Sequence, residues 1–184
     1  MNPWLLPPNL LSLARILMTP VIAWHLAHGD IHAAFPWLVA ASLTDLLDGQ
    51  LARRFGWTSD LGQKLDPVAD KLMLAAVYGS LSMGRLIPAW LACLVVGRDV
   101  IILAFAAWAA RRMTLSGFTA TRWGKLSTLI QMTFAGTVLG SGMWPQLGVS
   151  PALPPLIWVT AAATAVSGLG YARIGWLMIR SSAD

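Results

Sequence analysis

Four aspartates, Asp45, Asp48, Asp66 and Asp70, stand close together in a stretch of chain whose apolar surroundings should reject them. On a helix, residues three and four apart share a face. Asp45, Asp48, Gly49, Ala52 and Arg53 therefore form one stripe, and Gly62, Asp66 and Asp70, spaced by four, form a second stripe on the next helix. The turn FGWTSD between them predicts an antiparallel pair in which the two carboxylate faces confront each other. Asp60, inside this stretch, reads as a turn or N-cap residue.

An ionised Asp at the centre of a membrane helix costs about 2.5 to 3.5 kcal/mol even on a lenient insertion scale. Four together add mutual repulsion, and Arg53 alone cannot offset it. Divalent cations can. A carboxylate set with no His or Cys beside it suits a hard ion, Mg²⁺ or Mn²⁺ and also Ca²⁺, better than zinc. Two ions sharing Asp45, Asp48, Asp66 and Asp70 is the economical arrangement. Gly49 and Ala52 are small and share the acidic face, so a bulky polar ligand can approach the backbone there. Arg53 adds a planar fork suited to phosphate. The pattern reads as a metal-diphosphate site, and its rival from another class is a cation transporter using the same acids.

The elements that position these residues follow from composition. The chain of 184 residues is 57% hydrophobic and 11% charged, with a mean hydropathy of +0.64, outside the soluble globular norm. It reads as an all-α integral membrane protein. A helical crossing needs about 20 apolar residues, fewer where the helix lines a polar site. Six transmembrane segments qualify, roughly 9–28, 33–55, 60–83, 87–110, 124–143 and 153–179, separated by Gly, Pro and polar turn signals such as AHGDIH and WPQLGVSPALPP. There is no internal repeat, so one transmembrane domain over 1–184 accounts for the chain.

Lys and Arg accumulate on the cytoplasmic side. Arg53, Arg54, Lys64, Arg111, Arg112, Arg122, Lys125 and Arg180 would share one face, against Arg85 alone on the other. Both termini and the aspartate hairpin are therefore expected to be cytoplasmic. The net charge of +5 comes without a basic stripe interleaved with aromatics, which argues against nucleic acid and for anionic lipid headgroups. Cys93 lies in an apolar run and reads as a packing residue, with no disulfide possible. The N-terminus MNPWLLPPNLL has neither the basic region nor the cleavage site of a secretory signal and is expected to be retained.

The pattern from Asp45 to Asp70 resembles, position by position, the signature of the CDP-alcohol phosphatidyltransferase family: Asp45, Asp48, Gly49, Ala52, Arg53, Gly62, Asp66 and Asp70, without departure. The resemblance implies six transmembrane helices, a homodimer, and attack of an alcohol hydroxyl on the β-phosphorus of a CDP-linked donor, usually CDP-diacylglycerol, with loss of CMP. It implies that Asp45, Asp48, Asp66 and Asp70 hold Mg²⁺ or Mn²⁺, that Asp70 is also the general base, and that Gly49, Ala52, Arg53 and Gly62 line the donor pocket. Spacing alone leaves open which of the grouped carboxylates is the base.

The acceptor is less directly written. Asn9, Ser12 and Arg15, three apart, make a polar stripe on an oily first helix, either a helix start with an interfacial Arg or part of a site. Arg98 and Asp99 should pair with each other or face a polar cavity. Arg122 and Lys125 are either positive-inside residues or ligands of an anionic acceptor. Branches of the family that use glycerol 3-phosphate commonly show Arg-Glu at the place of Arg98-Asp99 and a Lys at the place of Ser127. The forms found here, with the late stretch TAAATAVSGLGYARIG, are more similar to the branch that joins CDP-diacylglycerol to phosphatidylglycerol to make cardiolipin. Phosphatidylglycerophosphate synthesis from glycerol 3-phosphate is the alternative. A prokaryotic inner membrane is expected, because no transit peptide precedes the first helix.

Overall fold

A computed structural model describes residues 7–55, 60–112 and 122–181, all in helices and short connections. Six helices run in order: α1 Pro7–Ala27, α2 Ile31–Phe55, α3 Asp60–Met83, α4 Ala89–Arg112, α5 Arg122–Met143 and α6 Leu153–Ser181. They coincide with the six expected segments to within two residues at most ends. Asp60 is the first residue of α3. The helices fall into two compact units, Met1–Ala89 and Trp90–Asp184.

In the first unit α1 packs along both α2 and α3. Its seam is built from Ile22 and Leu26 of α1, Ala34 and Ala41 of α2, and Ala69, Tyr78 and Leu81 of α3, all fully buried. The alanines matter because small side chains let helix backbones approach closely, which is what drives helix association where water supplies no hydrophobic force. The α1–α2 connection is closed from both sides. Gly29 adopts φ +73° and its N–H bonds the Leu26 carbonyl at 3.0 Å, a left-handed C-terminal cap. Asp30 then accepts the Ala33 N–H on Oδ1 at 3.0 Å and caps the start of α2.

Gly84, just beyond α3, sits against the same end of α1. A Cβ there would lie 2.5 Å from the Leu26 carbonyl oxygen, a backbone atom that cannot rotate away. Gly84→Ala is therefore expected to cost about 1 to 3 kcal/mol, the usual penalty for overpacking. A lower thermal midpoint in detergent would show it, and an unchanged midpoint would mean the α1–α3 seam can open there.

In the second unit α5 packs along α6, with Phe134 and Val138 of α5 buried. Trp90 of α4 and Trp158 of α6 meet at 5.5 Å between ring centroids. Further along, a Cβ on Gly175 would touch the Phe105 ring at 3.0 Å, so α6 lies close to α4 at that level.

Both units are arranged with polarity inward. Asn9, Ser12, Arg15, Arg98, Asp99, Ser127, Gln131, Thr160, Thr164 and Ser167 are buried, whereas Leu17, Trp24, Ile101, Leu129, Trp158 and Leu169 are more than 60% exposed. Soluble proteins show the reverse. Two stretches, Asn9–Ala27 and Ser150–Gly175, are long and apolar enough to cross a bilayer outright. The outward apolar shell makes this a membrane protein. Cys93 corrects one expectation: it is exposed on α4 among those outward side chains and does not pack inside.

Candidate active site

The polar stripe of α1 runs directly into the acidic hairpin. Asn9, Ser12 and Arg15 are all buried, Arg15 completely, because the face they share is the one that α1 turns to its neighbours. From that face the Arg15 guanidinium reaches carboxylates on both α2 and α3. Its Nη1 lies 2.8 Å from Asp45 Oδ1, and the same nitrogen donates a hydrogen bond to Asp70 Oδ1. The first and last acids of the motif, 25 positions apart in the chain, thus share one nitrogen.

Burial is asymmetric across this triad. The Asp45 and Asp70 side chains are 51% and 44% exposed, while that of Arg15 is wholly enclosed. The acids keep an exposed face, and the enclosed cation supports them from the other side. A carboxylate offers two oxygens and about four lone-pair directions, so an acid held by Arg15 through Oδ1 retains capacity for another electrophile.

The donor set suits a hard divalent cation. Asp45 and Asp70 bring two carboxylates from separate helices to one place. The chain's histidines, His25, His28 and His32, lie around the far connection between α1 and α2, and His25 is ten residues, about 15 Å, along α1 from Arg15. Two carboxylates meeting with no imidazole beside them is oxygen chemistry, that of Mg²⁺ or Mn²⁺. Among the described residues no group of three such ligands occurs. The side chains of Asp48, Gly49, Ala52, Arg53, Gly62 and Asp66 lie outside the described residues, although their backbones continue α2 and α3.

A second buried polar cluster occupies the other unit. Arg98 and Asp99 pair, as one of the two sequence alternatives expects, with Arg98 Nη1 2.5 Å from Asp99 Oδ1 and both residues buried. Arg98 Nη2 donates to Ser167 Oγ on α6, and the guanidinium lies 5.6 Å from the centroid of the Tyr171 ring. Between α5 and α6, Gln131 Nε2 donates to Thr164 Oγ1 at 2.9 Å and to Ser127 Oγ at 3.3 Å. Thr164 donates in turn to the Thr160 carbonyl at 2.7 Å. Lys125 is exposed in the first turns of α5, and the side chain of Arg122 lies outside the described residues.

Sequence reasoning singled out Arg15 without finding its partners. The signal was present: four acids in one hairpin against Arg53 alone left charge uncompensated, and Arg15 stands on a polar stripe of the preceding helix. On α6 the stretch TAAATAVSGLGYARIG was read for its resemblance and not for the polar face it carries. Thr160, Thr164, Ser167 and Tyr171 recur at intervals of four, three and four, one helical face that meets Gln131 and Arg98.

A family model described as CDP-alcohol phosphatidyltransferase matches residues 5–170. The chain is similar to a probable cardiolipin synthase (CMP-forming) of Drosophila melanogaster, 35% identical over 181 residues that cover 89% of this chain and 56% of the relative. It is similar to the cardiolipin synthase (CMP-forming) of Homo sapiens, 31% identical over 190 residues covering 95% and 62%. A CDP-diacylglycerol–glycerol-3-phosphate 3-phosphatidyltransferase of Bacillus subtilis is 29% identical over 194 residues, covering 95% of this chain and 97% of that protein. The chain therefore spans less than two thirds of the length of these two cardiolipin synthases and nearly the full length of the Bacillus protein.

Proposed function

Because the chain belongs to the CDP-alcohol phosphatidyltransferase family, we propose that it transfers a phosphatidyl group from CDP-diacylglycerol to phosphatidylglycerol, giving cardiolipin and CMP. The observation that carries the reading is the meeting of Asp45 and Asp70 on Arg15, which places the first and last acids of the family motif at one half-exposed site. In the reaction a hydroxyl oxygen of phosphatidylglycerol attacks the β-phosphorus of the donor. The bond from that phosphorus to the bridging oxygen breaks, CMP leaves with the electron pair, and the hydroxyl proton passes to a carboxylate.

Asp45, Asp48, Asp66 and Asp70 would hold Mg²⁺ or Mn²⁺, two ions in all, in this reading. Bound there, the ions would neutralise the diphosphate and stabilise the leaving phosphate. Asp70 accepts the proton, as a general base within hydrogen-bond reach of the acceptor hydroxyl. Gly49, Ala52 and Gly62 leave room for the cytidine diphosphate, and Arg53 forks onto its phosphates. Lys125 and Arg122 receive the acceptor's anionic phosphodiester. Arg98 joins them at the acceptor, its guanidinium held in place by Asp99 and Ser167 and lying against Tyr171.

All six helices cross the bilayer in this reading, with both termini and the aspartate site on the cytoplasmic side and the chain paired as a homodimer. The excess of Lys and Arg on that side supports the orientation. Among the described residues, Asp45 on α2, Asp70 on α3, Arg98 and Asp99 on α4 and Gln131 on α5 lower the hydropathy of the four helices that do not qualify by composition alone.

The choice of acceptor leans on the two cardiolipin synthases at 35% and 31% identity and on neutral Ser127. Losing a cation there suits a singly charged phosphodiester better than a phosphomonoester. The near full-length match to the Bacillus protein favours one second reading, transfer to glycerol 3-phosphate. Purified protein with CDP-diacylglycerol and Mg²⁺ or Mn²⁺ should release CMP only when phosphatidylglycerol is added. Release that requires glycerol 3-phosphate would establish the second reading and keep the aspartate chemistry. Metal flux into vesicles without CMP release would replace both with a cation transporter. Lys125→Ala should raise the apparent KM for the acceptor several-fold, and a defect confined to the donor would move Lys125 out of the acceptor site.

A further inference from the structure

We propose that Arg15 is a positioning residue for the metal-binding carboxylates, fixing Asp45 of α2 and Asp70 of α3 relative to each other as a pair of ligands. The inference rests on the metal-dependent reading above and holds for either acceptor. Three observations carry it. One atom, Nη1, serves both acids, so the separation of their Oδ1 atoms is set by a single nitrogen. The guanidinium is wholly enclosed while both acids are about half exposed, so the cation is held by the fold and the acids are held by the cation. Thr19 Oγ1 bonds the Arg15 carbonyl at 2.8 Å, which ties the same turn of α1 down from the following residues.

Two roles for such a cation predict opposite signs. A guanidinium that only supplied counter-charge would repel incoming divalent ions, and its removal would tighten their binding. A guanidinium that holds ligands in register loosens binding when removed, typically 10- to 100-fold for a residue that orients metal ligands from behind. Half-exposed acids favour the second, because water at their outer face raises the effective dielectric there and weakens the repulsion while leaving two unrestrained carboxylates free to swing apart.

The test is Mn²⁺ binding to the full-length protein in detergent, followed by electron paramagnetic resonance without any lipid substrate, across Arg15→Lys, Arg15→Gln and Arg15→Met. Arg15→Lys should stay within a few-fold of wild type, because an ammonium can also bridge two acids with one nitrogen. Arg15→Gln and Arg15→Met should weaken Mn²⁺ by about 10- to 100-fold. Unchanged or tighter binding in those two variants would overturn the positioning role. Should Arg15→Met fail to fold, the Lys and Gln variants decide alone, since both donate an N–H and only Lys carries charge. Wild-type protein that takes up no Mn²⁺ would overturn the metal-centre reading and the positioning role together, whereas a failure over the acceptor alone would leave this result untouched.

Discussion

Asp70→Asn should lower CMP release by about 10²- to 10⁴-fold, the range for loss of a general base, while CDP-diacylglycerol binding stays close to wild type. Asparagine is nearly isosteric with aspartate, and its carbonyl oxygen can still accept the Arg15 hydrogen bond made by Asp70 Oδ1. What it loses is the charge and the capacity to take a proton. Because Asp45 keeps its own contact with Arg15 at 2.8 Å, the buried guanidinium retains an ionised partner and the fold should survive. The variant thus isolates chemistry from stability. Two measurements complete the case: turnover, and Mn²⁺ affinity of the same preparation. Lost turnover with affinity reduced only a few-fold assigns the proton transfer to Asp70. Equal losses in both would make Asp70 chiefly a ligand, with the base elsewhere in the coupled carboxylate set. Normal turnover would remove it from either role.

What could be read in advance divides along a physical line. Helix positions were legible because apolar runs interrupted by Gly, Pro and charge are a local signal, and α1 to α6 lie where that signal places them. The pairing of Arg98 with Asp99 was legible for the same reason, since adjacent opposite charges in an apolar run have few other options. Helical spacing also told which acids share a face on their own helix. It could not tell what lies between two faces. Asp45 and Asp70 meet through Arg15, which is 30 and 55 positions away from them in the chain, and a periodicity of 3.6 carries no information across such distances. The α6 stripe was hidden differently. Thr160, Thr164 and Ser167 are mild residues that a transmembrane helix tolerates on any face, and only their meeting with Gln131 and Arg98 shows that they line the interior. Cys93 shows the converse: an apolar neighbourhood marks the inside of a soluble protein, but in a bilayer the apolar face looks outward.

Removing both carboxylates from Arg15 should damage the fold itself. In Asp45→Ala/Asp70→Ala the guanidinium, which no solvent reaches, loses both acids. Removing carboxylates paired with a buried charge costs up to about 3 to 5 kcal/mol, because the desolvation already spent on the charge is less fully offset. The double variant should therefore show a markedly lower thermal midpoint in detergent with a chelator present, where no metal contributes. Each single variant leaves one acid in place and should fall by much less than half that amount. The decisive arm is the triple variant with Arg15→Met added. It removes the buried charge and fills the space with a flexible apolar side chain, so it should recover most of the lost stability while remaining inactive. Recovery of stability without activity would separate the two tasks of these aspartates, closing α2 and α3 onto α1 through Arg15 and serving the reaction at their exposed oxygens. A triple variant no more stable than the double one would mean that the acids hold the helices by contacts that do not pass through Arg15.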